Sequence, residues 1–79
     1  MKLAEIKKLV ETYDLSTLQS AEQQILEGEQ LGIQVGGDDE GEQLTHVMAA
    51  IEILQDMQGG TEIKDALRNY TKRVRESIS

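Results

Sequence analysis

The sequence predicts an all-α protein: one compact four-helix domain over residues 1–79, with one short extended segment between the second and third helices. Three observations lead there. Apolar residues recur at steps of three and four in four separate stretches, the spacing of a single helix face. Glycines or a lone aspartate stand between the stretches, where helices stop or start. The chain has no Pro, Cys, Trp or Phe, so no proline interrupts the stretches and the core must be Leu, Ile, Val, Met and Ala with two Tyr.

Leu3, Ile6, Leu9, Val10 and Tyr13 form the first apolar series, with Lys2, Glu5, Lys7, Lys8 and Glu11 outside it. Asp14 then breaks the pattern, and its short carboxylate suits the N-cap of a second helix. That helix carries Leu15, Leu18, Ala21, Ile25 and Leu26 and stops near Gly28. So short a connection makes the pair an antiparallel hairpin. Leu31, Ile33 and Val35 next alternate with Gly32 and Gln34, which is the period of a strand. No second strand candidate lies nearby, and a lone strand leaves its backbone groups unpaired. Two readings follow: an extended loop whose apolar residues tuck over the helices, or pairing with the same strand of a second chain.

Gly36-Gly37-Asp38-Asp39-Glu40-Gly41-Glu42 reads as a flexible acidic loop running into a helix start, where carboxylates interact well with the positive end of the helix dipole. The third helix is expected from about Glu42 to Gln58, with Gly59-Gly60 as its stop. Leu44, Val47, Met48, Ala50, Ile51, Ile53, Leu54 and Met57 cover roughly 220° of its surface at about 100° per residue. A helix that apolar is central or faces two partners, and Ile51 and Leu54 are its expected core residues. Thr61 is expected to cap the fourth helix, which carries Ile63, Ala66, Leu67, Tyr70, Val74 and Ile78 on one face. Lys64, Arg68, Lys72 and Arg75 run beside that face.

The net charge of -7 argues against nucleic acid and against anionic membranes. No run approaches the ~18 apolar residues of a membrane span. The start, Met1-Lys2-Leu3-Ala4-Glu5, carries charges where a signal peptide has its apolar core, so the expected location is the cytoplasm. Without Cys there is no disulfide framework and no thiolate chemistry. Charge is also segregated. Residues 14–60 hold 10 acidic side chains and no Lys or Arg, whereas residues 61–79 hold 5 basic and 3 acidic ones.

The acidic loop invites comparison with a calcium-binding EF-hand. Aligning Gly41 with that loop's invariant glycine puts Asp38 and Glu40 at ligand positions, but leaves Gly36 at the first and Val47 at the twelfth, where acids are required. His46 follows Glu42 by four residues on one helix face, so Asp38, Glu42 and His46 are the weak metal candidates; a structural zinc site takes four ligands. The expected state of His46 is a partly buried, hydrogen-bonded interface residue. Gly36-Gly37 lacks the Lys-Ser/Thr of a phosphate loop, and no serine has a His-plus-acid constellation. The sequence therefore predicts neither an enzyme nor a cofactor.

Lys2-Leu3-x-x-Ile6-Lys7-Lys8-Leu9-Val10-Glu11, Asp39-Glu40-Gly41-Glu42-Gln43-Leu44-Thr45-His46-Val47 and Ala66-Leu67-Arg68-x-Tyr70-Thr71-x-x-Val74-Arg75 together resemble a small uncharacterised bacterial family. The resemblance covers nearly the whole chain and implies no activity and no site residues. It does imply neighbours of the thioredoxin-like or peroxiredoxin kind, and so a thioredoxin-like partner.

The functional expectation is a nonenzymatic protein-interaction module acting as a homodimer. Its seam is expected to combine Leu31, Ile33 and Val35 with an outward arc through His46, Ala50, Ile53 and Met57. The alternative is a small metal- or substrate-handling protein using Asp38, Asp39, Glu40, Glu42 and His46.

Overall fold

A computed structural model describes residues 2–78, with side chains through residue 76. Among the described residues it contains four helices and no strand: α1 (Leu3–Thr12), α2 (Leu15–Leu26), α3 (Glu40–Gln58) and α4 (Ile63–Ile78). The all-α class and the four stretches are those predicted. The Ile78 side chain, expected on the α4 apolar face, lies outside the described residues.

Local chemistry sets the helix ends. Asp14 caps α2 as expected, its carboxylate accepting the Thr17 N–H at 2.8 Å. At the other end of α2, Gly28 takes a left-handed φ of +73°, so that Glu29 N–H reaches Gln24 C=O and Gly28 N–H reaches Ile25 C=O. This is a Schellman stop, and only glycine adopts that φ without strain. It recurs after α3, where Gly60 at φ +104° lets Thr61 N–H reach Asp56 C=O and Gly60 N–H reach Met57 C=O. Two boundaries move. α3 begins at Glu40 rather than Glu42, because Asp39 accepts the Glu42 N–H at 2.8 Å and so caps the helix from inside the acidic loop. α4 begins at Ile63, and the Glu62 carbonyl receives the Ala66 N–H, which places Glu62 rather than Thr61 at the cap position.

α3 lies at the centre and packs against α1, α2 and α4, which scarcely touch one another. Its buried residues are His46, Val47, Ala49, Ala50, Ile51 and Ile53. They meet Ile6, Leu9 and Val10 from α1, Leu18 and Ala21 from α2, and Ala66 and Tyr70 from α4. This corrects the expected outward arc. His46, Ala50 and Ile53 are each 0% exposed within one chain, and Met57 packs partly buried against the same core. Two other expectations also shift. Leu54 is only partly buried, and Met48 is 50% exposed.

The alternating segment is a loop, not a strand. Leu31, Ile33 and Val35 turn onto the core while Gly32 and Gln34 face out. Side chains supply the backbone pairing that a neighbouring strand would give. Gly32 N–H donates to Gln24 Oε1 at 3.0 Å, Gln34 N–H to the Tyr13 hydroxyl at 3.4 Å, and Gly36 C=O accepts from His46 Nδ1 at 2.7 Å.

Two outcomes follow from this packing. Ile53→Ala empties a sealed site and is expected to cost about 2–5 kcal/mol, close to the whole stability of a domain this size. Leu54→Ala should cost clearly less, and urea melts that rank the two the other way would place the core on the wrong side of α3. The second outcome concerns acid. Thr17, first through its hydroxyl and then through its backbone N–H, holds the Asp14 carboxyl below its ordinary value of 3.8. A carboxylate depressed in the folded state contributes stability that is fully present above that ordinary value and is lost as pH falls through the lower folded one. Asp14→Asn keeps an acceptor that does not titrate, so the acid-side loss should shrink. An unchanged acid profile by circular dichroism would show that the cap does not contribute.

Candidate functional site

His46 sits on the buried face of α3, one turn after Glu42. Lys2 N–H donates to its Nε2 at 3.0 Å, and its Nδ1 meets the Gly36 carbonyl oxygen at 2.7 Å. A backbone N–H only donates and a carbonyl only accepts. These partners therefore assign a neutral imidazole with its proton on Nδ1. The ring joins the start of α1 to the α2–α3 loop through α3.

Glu42 lies beside this staple, with Oε1 4.0 Å from Nε2, and its Oε2 accepts the Asp38 N–H at 3.5 Å. The sequence thus places Glu42 and His46 together correctly, and Asp38 approaches them through its backbone N–H. A cation at Nε2 would have to displace the Lys2 N–H. Among the described residues no group of three or more His, Cys, Asp or Glu is arranged to hold a metal ion. Asp39 is committed to the α3 cap, while Asp38 and Glu40 are exposed.

Leu31, Ile33 and Val35, expected at a seam between chains, line one wall of an open cleft of about 610 Å³. Glu5, Lys8 and Tyr13 of the α1 region stand across from them. Apolar and charged groups share the lining of this cleft.

A second surface lies where the first turn of α1 meets α4. Leu3, 46% exposed, and Leu67 form the apolar part of a shallow groove of about 400 Å³, rimmed by Arg68, Lys72 and Arg75. Thr71 completes the wall, with its hydroxyl tied back to the Leu67 carbonyl at 2.9 Å. Arg73 turns the other way and pairs with Glu52 at 2.9 Å and Asp56 at 3.3 Å on α3. Beneath it, burial raises the Tyr70 hydroxyl above its ordinary value; Glu52 adds to the rise and Arg73 opposes it. The basic stripe was legible from the sequence, but the part played by Leu3 was not. Its spacing assigns it to the α1 core face, and only the crossing of α1 near α4 leaves it half outside.

Among the described residues the most exposed large apolar side chain is on α2, where Leu26 is 63% exposed. Glu22 lies one turn before it on the same flank, and Glu27 and Glu29 follow it. Leu26 was expected inside with Ile25; it sits at the edge of the α2 core face, in the last turn before the Gly28 stop.

The chain belongs to a family of unknown function, DUF6952, whose model matches residues 1–79. The resemblance read from the sequence is thereby met at the level of an uncharacterised family. Neither the curated proteins nor the solved structures compared with the chain match it.

The staple has a measurable consequence. His46→Phe fills similar space but leaves the part-buried Lys2 N–H and Gly36 C=O without their partner, at about 1 kcal/mol for each hydrogen bond lost. His46→Gln, with one donor and one acceptor, is expected to recover part of that loss. Amide exchange at Lys2 and Leu3 should accelerate in the Phe variant. A Phe variant as stable as the parent would mean that the imidazole only fills volume.

Proposed function

We propose that this protein is a nonenzymatic protein-interaction module that works as a homodimer. The observation that carries the reading is the Leu3–Leu67 groove: exposed apolar surface rimmed by three cationic side chains on a chain of net charge -7. Exposed apolar patches with polar rims mark association surfaces. The seam anticipated around His46, Ala50 and Ile53 is closed inside one chain, so self-association passes to the apolar residues that remain outside.

The alternative, metal or substrate handling by the acidic loop and His46, has the 4.0 Å approach of Glu42 in its favour and both committed ring nitrogens against it. We include a cytoplasmic location in this reading; no described helix is long and apolar enough to cross a membrane. A thioredoxin-like partner would engage this chain by docking alone, because without Cys it has no thiol to exchange.

Light scattering over rising micromolar concentrations is the test. The expected mass is that of a dimer. Leu3→Glu, at the exposed leucine of the groove, should give a monomer that keeps its helical circular dichroism. A monomer mass for the unmodified chain throughout the range would remove the homodimer from this reading.

A further inference from the structure

We infer that the dimer forms by reciprocal exchange between two unlike patches. Leu26 of each copy, with Glu22 one turn before it on α2 and Glu27 next to it, seats in the Leu3–Leu67 groove of the other. This rests on the homodimer reading and names the surfaces that carry it.

Three features of one chain fit together. Leu26 is a protruding apolar side chain at 63% exposure, and the groove is an apolar depression of about 400 Å³. The acidic surround of Leu26 faces a rim of Arg68, Lys72 and Arg75, so the charges are complementary as well as the shapes. Each patch also repels its own copy. Groove against groove sets cation on cation, and Leu26 against Leu26 sets carboxylate on carboxylate. Like charges face to face across an interface cost several kilocalories per mole and exclude wrong pairings. A contact between two different patches closes into a dimer only when it is made twice across a two-fold axis; made once, it propagates into open chains. Every copy carries both patches, and reciprocal pairing uses both.

The same arrangement explains which cations stay at the groove. Arg73, the basic residue of α4 between Lys72 and Arg75, is consumed by Glu52 and Asp56 within the chain. Arg68, Lys72 and Arg75 line the surface instead. The bound charge pairs would set register and speed encounter, and the buried leucines would supply most of the affinity.

Charge exchange tests the inference. The double variant R68E/K72E carries an acidic groove, and the double variant E22K/E27K carries a basic Leu26 patch. Each alone is expected to dimerise about tenfold more weakly or worse, with helical circular dichroism unchanged. Mixed in equal amounts, the two should recover a dimer, because the acidic groove meets the basic patch and the two unaltered surfaces meet each other. Leu26→Ser should weaken the parent dimer without loss of fold, since the side chain is exposed. Added salt should weaken the parent dimer as well. A parent dimer indifferent to all these changes would overturn the inference and leave the homodimer reading standing, whereas a parent monomer would take down that reading first. Recovery by neither mixture nor single variant would overturn the reciprocal contact, and masses climbing past the dimer would overturn its two-fold closure.

Discussion

One imidazole fixes backbone groups from two distant parts of the chain, the start of α1 and the α2–α3 loop, onto α3. Lys2 stands at the cap position before α1 and its side chain offers no acceptor to cap a helix; its backbone N–H is fixed instead on His46 Nε2. The α2–α3 loop has no strand partner, and its Gly36 carbonyl is fixed on the other ring nitrogen. Both groups reach a side chain that α3 holds at 0% exposure in the middle of the core. A phenyl ring or an aliphatic chain fills that volume and answers neither group. A second polar side chain would have to offer one donor and one acceptor at opposite ends, which neutral histidine does in a single rigid ring.

Around that point the core is built for close approach rather than bulk. Ala21, Ala49, Ala50 and Ala66 are all buried, and each lets a neighbouring helix come near α3. The chain has no Phe or Trp, and Tyr70 is the one aromatic residue in the buried cluster. Stability then depends on surrounding α3 on several sides at once, with the loop residues Leu31, Ile33 and Val35 filling what the helices leave. The charges follow the same plan. Arg73 of the basic C-terminal helix reaches Glu52 and Asp56 of the acidic middle. These pairs are about half exposed, so they orient α4 along α3 more than they stabilise it.

Most of the helix map was legible because its signals are local: steps of three and four, the Asp14 cap, and Gly28 and Gly60 at the two Schellman stops. The start of α3 was missed by two residues because Asp39 looks like one more acid in a loop, and a cap is recognised only once the helix behind it is placed. The alternation at Leu31, Ile33 and Val35 did report alternate burial. It could not report that Gln24, Tyr13 and His46, distant in sequence, would pair with the backbone. The arc on α3 was counted correctly as wide. Periodicity gives the width of an apolar arc and not the number of neighbours around it, so His46, Ala50 and Ile53 were turned outward when three helices already enclosed them. Met48 and Leu54 show the same limit in reverse. On so apolar a helix, spacing alone does not say which side chains the packing will leave uncovered.

What the packing leaves outside then acquires meaning from charge. Two copies each carrying -7 repel at long range, and an approach chosen at random brings acidic surface against acidic surface. At physiological salt that repulsion is screened beyond about 8 Å, so the selection among approaches is made close to contact. There the sequence's segregation of charge becomes a rule of orientation. The basic groove at α1 and α4 and the acidic flank of Leu26 are exposed apolar-centred patches of opposite sign. An approach that joins them replaces repulsion with attraction while it covers Leu3 and Leu26. On the proposed pairing, the same acidic centre that disfavours indiscriminate approach also selects the orientation in which two copies meet.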